Sequence, residues 1–336
     1  MNSLERYLGM LKGERVDHVP RIPIVMQYAA ERIGSNYGEF ASDFQVLVEA
    51  NRRCAREFGF DQLSAISDPY RETEGFGGKI TYVRDGVPRC THPLENSKDL
   101  SFLLKPDSKT STRMADRIRA IEDYRRLDSK DFSIMGWVEG PAAEAADLRD
   151  VANFMMDTIE DSGFVADLMD ICTQAGISFA KAQVAAGADT IGIGDAVASQ
   201  LPPETYETLI QQREKLLVDA IHSSGALVRL HICGNITHLL PGIAGLDVDI
   251  LDVDHMVDLA AVREAVGPRV AISGNIDPVS GVLRGTPASI RSHVVNSYRI
   301  VGNPFMVNAG CEIPAGTPSK NLLALCEPLD YMETTR

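Results

Sequence analysis

Positive charge is scarce in this chain. Its 336 residues hold 33 Lys and Arg against 47 Asp and Glu, a formal net charge of −14. Nucleic acid and an anionic membrane surface both demand a basic face, so the deficit excludes them as main partners. Long apolar runs are missing as well. No stretch approaches the roughly 20 uninterrupted apolar residues of a membrane span. The opening residues, MNSLERYLGMLKGERVDHVP, are charged throughout and lack the apolar core and small-residue cleavage site of a secretory signal. A cytoplasmic location is expected. Cysteine is sparse: six residues (Cys54, Cys90, Cys172, Cys233, Cys311, Cys326) scattered over a large chain do not form a disulfide framework. Four of them, Cys54, Cys90, Cys172 and Cys326, have no ligand-type neighbours at useful spacing and are expected to be structural. No low-complexity linker or internal repeat divides the chain, so a single domain spanning 1–336 is expected.

What is present is a rhythm. Eight short, β-branched apolar runs recur: RIPIVM (21–26), QLSAIS (62–67), FSIMGWV (132–138), DTIGIG (189–194), ALVRLHI (226–232), DILDV (249–253), RVAIS (269–273) and FMVNA (305–309). Runs apolar at nearly every position suit parallel strands covered on both faces, and alternation with helical patterns is the mark of repeated βα units. Residues 42–59 place Phe44, Leu47, Val48, Ala55 and Phe58 on one face and stop at Gly59. Residues 202–225 begin with prolines and acids and stop at Ser-Gly. Together these predict an α/β fold, a single (α/β)8 TIM barrel. Two departures from the rhythm are expected. Leu4, Tyr7, Leu8 and Leu11 give a short N-terminal helix over 3–12 that covers the bottom of the barrel, and the alternating runs flanking Asp85-Gly86 give a β-hairpin inserted at 78–92.

In such a barrel the residues just after each strand gather at one face. They are Gln27, Asp68, Glu139, Asp195, His231 with Cys233, Asp254 with His255, Asn275 with Asp277, and Cys311. Asp and Asn also cap helices, so part of this rim is structural. His231-Ile232-Cys233 is different, because residues i and i+2 of an extended chain point the same way. Cys311 ends the eighth strand, and barrel closure brings it within reach. A His/Cys/Cys set suits zinc rather than magnesium or calcium and leaves a fourth position open. The same spacing also fits two small buried cysteines and a core histidine, since H-x-C with one distant Cys is a loose pattern.

The stretches LHICGNITHLLPGIAGLDVDILDVDH, ISGNIDP and NAGCEIPAGTPSKNLLAL, with the opening LERYLGMLKGERVDHVPRIPI and the middle block GADTIGIGDAVASQLPPETYETLI, resemble the uroporphyrinogen decarboxylase superfamily, in particular its corrinoid-dependent methyltransferase branch. The resemblance covers nearly the whole chain. It implies that His231, Cys233 and Cys311 bind a catalytic Zn2+ and that a small-molecule thiol acceptor is activated as a zinc thiolate. Cobalamin, the corrinoid, would be presented by a partner protein, since the chain has no D-x-H-x-x-G motif of its own. The same branch also runs the other way, loading the corrinoid from a methoxyaromatic or methylamine methyl donor. Departures matter too. Where decarboxylases resemble one another in an arginine-rich block that binds substrate carboxylates, this chain reads IPIVMQYAAERIG (22–34), and AGCE stands where they carry a histidine. A decarboxylase-like lyase is therefore the alternative, and a non-enzymatic corrinoid carrier or sensor a further one.

Glu139, Asp195 and Asp68 are the candidate catalytic residues; Asn275, Asp277 and Asn235 are the candidates for cofactor contact. Helix capping is an equal reading for Asp195, and turn chemistry for Asn275 and Asp277. Trp137 either packs inside the barrel or walls the pocket. His238, His255, Glu72 and Glu74 are weaker candidates, with solvated roles as the default.

Overall fold

In the computed structural model, which describes residues 1–128 and 130–333, seven of the eight apolar runs become strands, and the hairpin adds two. In chain order these are β1 (Gln62–Ser64), β2 (Ile80–Val83), β3 (Gly86–Cys90), β4 (Ser133–Glu139), β5 (Thr190–Gly194), β6 (Leu227–His231), β7 (Ile250–Val253), β8 (Ala271–Gly274) and β9 (Phe305–Met306). Seven of them form one parallel sheet in the order β1-β4-β5-β6-β7-β8-β9, with helices in the crossovers. The sheet curls into a barrel.

Run 21–26 closes the ring, though as an extended segment with a single parallel bridge, Arg21 to Val307, and not as a regular strand. Ile22 N donates to Val307 O and Val307 N to Pro20 O, both at 2.8 Å, while on the other edge Asp61 N donates to Arg21 O at 2.7 Å. Pro20 and Pro23 have no N–H to give, which keeps the ladder from extending. The last run is also cut short. Past Met306, Asn308 offers its side-chain Oδ1 to Ile24 N at 3.3 Å in place of a ladder bond.

The hairpin is present, with Ile80 opposite Cys90 and Val83 opposite Gly86. Its turn is therefore Arg84-Asp85, one residue earlier than the Asp85-Gly86 expected. The N-terminal helix, Ser3–Leu11, is held by a capping box between Asn2 and Glu5. It lies beneath the barrel, where Tyr7 Oη meets Thr190 Oγ1 at the start of β5 at 2.7 Å. Helix Phe44–Phe58 buries Leu47, Val48, Ala55 and Phe58 and ends on Gly59 at φ 73°, a left-handed cap that suits glycine. The expected wall helix over 202–225 is interrupted by a π-helical stretch, Tyr206–Ile210, before Gln211–Ser223. Within it Tyr206 Oη donates to the buried Glu214 at 2.6 Å.

Alternate strand residues point into the barrel, and its interior is layered. The lower layer is polar, against the expectation of apolar strands throughout. Arg229 Nε donates to Asp252 Oδ2 at 2.7 Å and its Nη1 to Gln62 Oε1 at 2.8 Å, while Ser273 donates to Asp252. A buried guanidinium is tolerated here because every neighbour is an acceptor. Above it sits a small apolar cluster of Ile24, Ile66, Met135 and Trp137, separate from the main core between strands and helices. No helix among the described residues is long and apolar enough to cross a membrane.

Candidate functional site

His231 is the last residue of β6, Ile232 turns outward into the core, and Cys233 follows in the loop. Gly234 lets the chain turn away at φ 90°, and its N–H is anchored by Asp254 Oδ2 at 2.8 Å. Cys311 arrives from the segment after β9. The ligand atoms of His231, Cys233 and Cys311 all lie within 4.8 Å of one another. His231 Nε2 is 2.9 Å from Cys233 Sγ, which is 3.8 Å from Cys311 Sγ. The other ring nitrogen, Nδ1, is buried without a hydrogen-bond partner, 3.8 Å from Asp252 Oδ2.

The two sulfurs are in contact, and each shifts the other. The Cys233 thiol donating to it brings the Cys311 sulfur down to about 4, against burial and with help from His231, while the same bond and burial push Cys233 up. Two such sulfurs cannot both ionise unless a cation sits between them. Two sulfurs and one imidazole nitrogen at this separation fit zinc, and three protein ligands leave one tetrahedral position for a substrate.

Beside the three ligands lies a cavity of about 160 Å³ walled by Met26, Ile66, Asp68, Trp137, Glu139 and Glu312 among others. Larger hollows exist, including one of about 510 Å³ on the outer wall among Phe76, Leu103 and Ile171, but no cluster of reactive groups faces it. The smaller cavity is where chemistry converges. Trp137 both packs and walls. Its indole lies against Gly192 and Gly194 of β5, where a Cβ at 194 would come within 2.7 Å of the ring. Its Nε1 donates to Glu139 Oε1 at 3.1 Å, and its ring centroid is 6.5 Å from that of His231. The Gly-Ile-Gly of β5 thus makes room for the indole.

Behind the cavity is a layer of buried charge. Asp68 is held by Arg113 through both oxygens, Nη1 to Oδ1 at 2.6 Å and Nη2 to Oδ2. Burial pushes the Asp68 carboxyl up, but the Arg113 guanidinium outweighs it and holds the value at about 2. Arg71, fully buried, donates to the Asp68 carbonyl and to Glu139. Glu139 is nonetheless driven well above the usual carboxylate range, first by burial and then by its acidic neighbours Glu72 and Asp147, against the pull of Arg71. Burial raises Glu72 and Glu144 as well, and takes Asp147 to about 7.

A family profile described as uroporphyrinogen decarboxylase (URO-D) matches residues 2–330. The chain belongs to the uroporphyrinogen decarboxylase family. Among its relatives, "Methylcobamide:CoM methyltransferase MtaA" of Methanosarcina barkeri is 28% identical, the alignment spanning 97% of this chain and 96% of the relative. "Uroporphyrinogen decarboxylase" of Trichodesmium erythraeum is 24% identical over 96% and 95% of the two chains. A solved "methyltransferase from Methanosarcina mazei" superposes with a TM-score of 0.88 at 26% identity, covering 97% of each chain.

The other rim residues of this uroporphyrinogen decarboxylase family member are spread out. Asp195 does not line the cavity. It caps helix Pro141–Arg149, accepting from Ala143 N at 2.7 Å and Ala142 N at 3.4 Å, and burial raises it to about 6. Asp277 caps the turn at Pro278–Leu283, taking Val279 N at 2.8 Å and Ser280 N at 2.9 Å. Asn275 donates to Val257 O at 2.8 Å, and Asn275 and Asp277 border a separate hollow with His255 and His293. Asn235 is exposed and accepts from Thr237 N at 3.0 Å. His255 lies 2.5 Å from Asp254, and His238 Nε2 is 3.0 Å from Leu201 O. Gln27 meets the site through its backbone, donating to Glu312 Oε1 at 3.1 Å.

Four residues of the site were not anticipated: Arg71, Arg113, Asp252 and Glu312. The arginine-rich N-terminal block is missing, yet Asp68 has an arginine partner: Arg113 reaches it from helix Thr112–Asp128. For Arg71 a signal existed, since it lies three residues after Asp68 at a helix start.

Proposed function

We propose that this chain is a zinc-dependent methyltransferase that moves a methyl group between the corrinoid of a partner protein and a small thiol. The observation that carries the proposal is the meeting of His231, Cys233 and Cys311 at one cavity, in a chain whose full-length relatives include methylcobamide:CoM methyltransferases. In this reading His231 Nε2 and the two sulfurs hold the ion. When bound, zinc supplies the Lewis acidity that keeps an acceptor thiol deprotonated at neutral pH.

The remaining roles fall to side chains. Asp252 stands behind His231 Nδ1 and orients the ring, as carboxylates behind metal-bound imidazoles do. Glu139, fixed at Oε1 by Trp137 and Arg71 and raised by burial, takes up the thiol proton at the cavity wall. Trp137, Met26 and Ile66 exclude water from the reacting sulfur. The opposite direction, loading the corrinoid from a methoxyaromatic or methylamine, would use the same groups. A decarboxylase-like lyase has less support, because Arg71 and Arg113 are already engaged by carboxylates and no arginine lines the cavity.

Purified protein should contain about one zinc per chain and demethylate methylcobalamin in the presence of a thiol. Cys311→Ser should lose most of both. Metal-free protein that keeps full methyl transfer would sink the proposal.

A further inference from the structure

The charges around the cavity restrict what can bind there. Three acidic side chains line it, those of Asp68, Glu139 and Glu312, and no lysine or arginine does. The two guanidiniums nearby are already committed to carboxylates, and the one donor each leaves unpaired, Nε, is buried. Arg113 gives Nη1 and Nη2 to Asp68, and Arg71 gives Nη1 to the Asp68 carbonyl and Nη2 to Glu139 while its Nε lies 3.7 Å from Glu72. Both are buried, at 4% and 0% side-chain exposure, so neither can swing out without leaving an acid unpaired. Glu312 accepts only the backbone N–H of Gln27 at 3.1 Å and has no ion-pair partner among the described residues. The rest of the wall is Ile24, Met26, Ile66, Pro69 and the face of Trp137. Nor does the metal centre favour an anionic tail, since two cysteine sulfurs offset a divalent ion's charge.

We infer that the small molecule bound beside the metal centre is uncharged or cationic beyond its reacting atom and carries no anionic group. An anion would enter a dry space that offers no free cation to replace the water it gives up. A neutral alkyl tail meets apolar wall. An ammonium tail gains Glu312 as a hydrogen-bond acceptor and Trp137 as a ring face. The inference names the substrate class of the proposed methyltransferase site and rests on that reading for the choice of thiols as probes.

The only tryptophan of the chain lies in this cavity, so binding can be read by its fluorescence, independently of turnover. Zinc-loaded full-length protein is titrated with three thiols of equal chain length: 2-aminoethanethiol, 2-mercaptoethanol and 2-mercaptoethanesulfonate. The sulfonate is expected to bind at least about tenfold more weakly than either of the others, the effect of taking one unpaired charge out of water. Binding of the sulfonate as tightly as the neutral thiol overturns the inference. Asp68→Asn, which leaves Arg113 without its carboxylate, should shrink the sulfonate's disadvantage. Glu312→Gln should remove the ammonium's advantage over the neutral thiol, and it keeps the test open should Asp68→Asn fail to fold. An unchanged order in both variants overturns the electrostatic account.

Methyl transfer from methylcobalamin is followed alongside. The charge order without methyl transfer would sink the functional reading and leave the inference standing. Methyl transfer with the sulfonate preferred would do the reverse, and no saturable binding of any thiol would sink both.

Discussion

Arg113→Met tests the buried charge behind the cavity. In the parent, Asp68 is fully buried and its carboxyl is held at about 2, below its ordinary 3.8. At about 1.4 kcal/mol per pH unit of separation, this lowered value contributes roughly 2 kcal/mol of stability at neutral pH. Because the folded value is depressed, that contribution is fully present above pH 3.8 and is lost as the pH falls towards 2. Methionine matches the stem of the arginine but removes the cation, leaving the carboxylate with Tyr70 N–H at 3.2 Å and the more distant Arg71. Breaking one side of a buried pair costs about 3–5 kcal/mol. Burial, the largest influence on Asp68, then lifts its folded value above 3.8, so the sign reverses. The variant's deficit should be greatest at pH 8 and should shrink towards pH 4 as the carboxyl takes up a proton. Urea denaturation of parent and variant at pH 8, 6 and 4, followed by Trp137 emission, measures it. Glu72, which Arg113 also lowers, rises in the variant too and adds to the same trend. A deficit under about 1 kcal/mol at pH 8, or one that grows on acidification, refutes the reasoning.

Three further outcomes follow from the geometry. Asp252→Ala removes the carboxylate behind His231 and should weaken zinc binding about 10- to 100-fold in competition with a chelator; an unchanged affinity would show that Arg229 alone is its business. Asp195→Ala should cost about 1–2 kcal/mol as a lost helix cap, with zinc content unchanged, and loss of zinc would place Asp195 in the site after all. Gly192→Ala drives a methyl group into the indole of Trp137. It should destabilise the fold by about 1–3 kcal/mol and shift the tryptophan emission, and an unshifted spectrum would show that the ring is not seated on β5.

The barrel was legible because its signal is repetitive. Each of the eight runs occupies a place in the ring, and the helix ends at Gly59 and Ser-Gly lie where their residues indicate. Where the reading slipped, local chemistry had the last word: prolines 20 and 23 kept the first run from becoming a regular strand, and the hairpin turned one residue early. The meeting of His231, Cys233 and Cys311 was legible as well, since a strand-end His-x-Cys and a distant Cys become neighbours by closure alone. The supporting shell was not. Arg113 lies 45 residues from Asp68 on a helix with a weak apolar stripe, and only tertiary packing brings the two together. Asp195 shows the converse limit, because a strand-end carboxylate looks the same in sequence whether it faces a cavity or caps the helix of the preceding unit.

Cys311 follows Cys233 by 78 residues, and the segment that carries it also completes the ring through the Arg21–Val307 bridge. A ribosome making this chain releases a histidine and one cysteine well before the third ligand exists. Until then the partial sheet keeps two open edges. In the proposed reading, tight metal capture is thus timed to the final step of folding, and a shortage of zinc would leave molecules whose ring has closed around an empty trio.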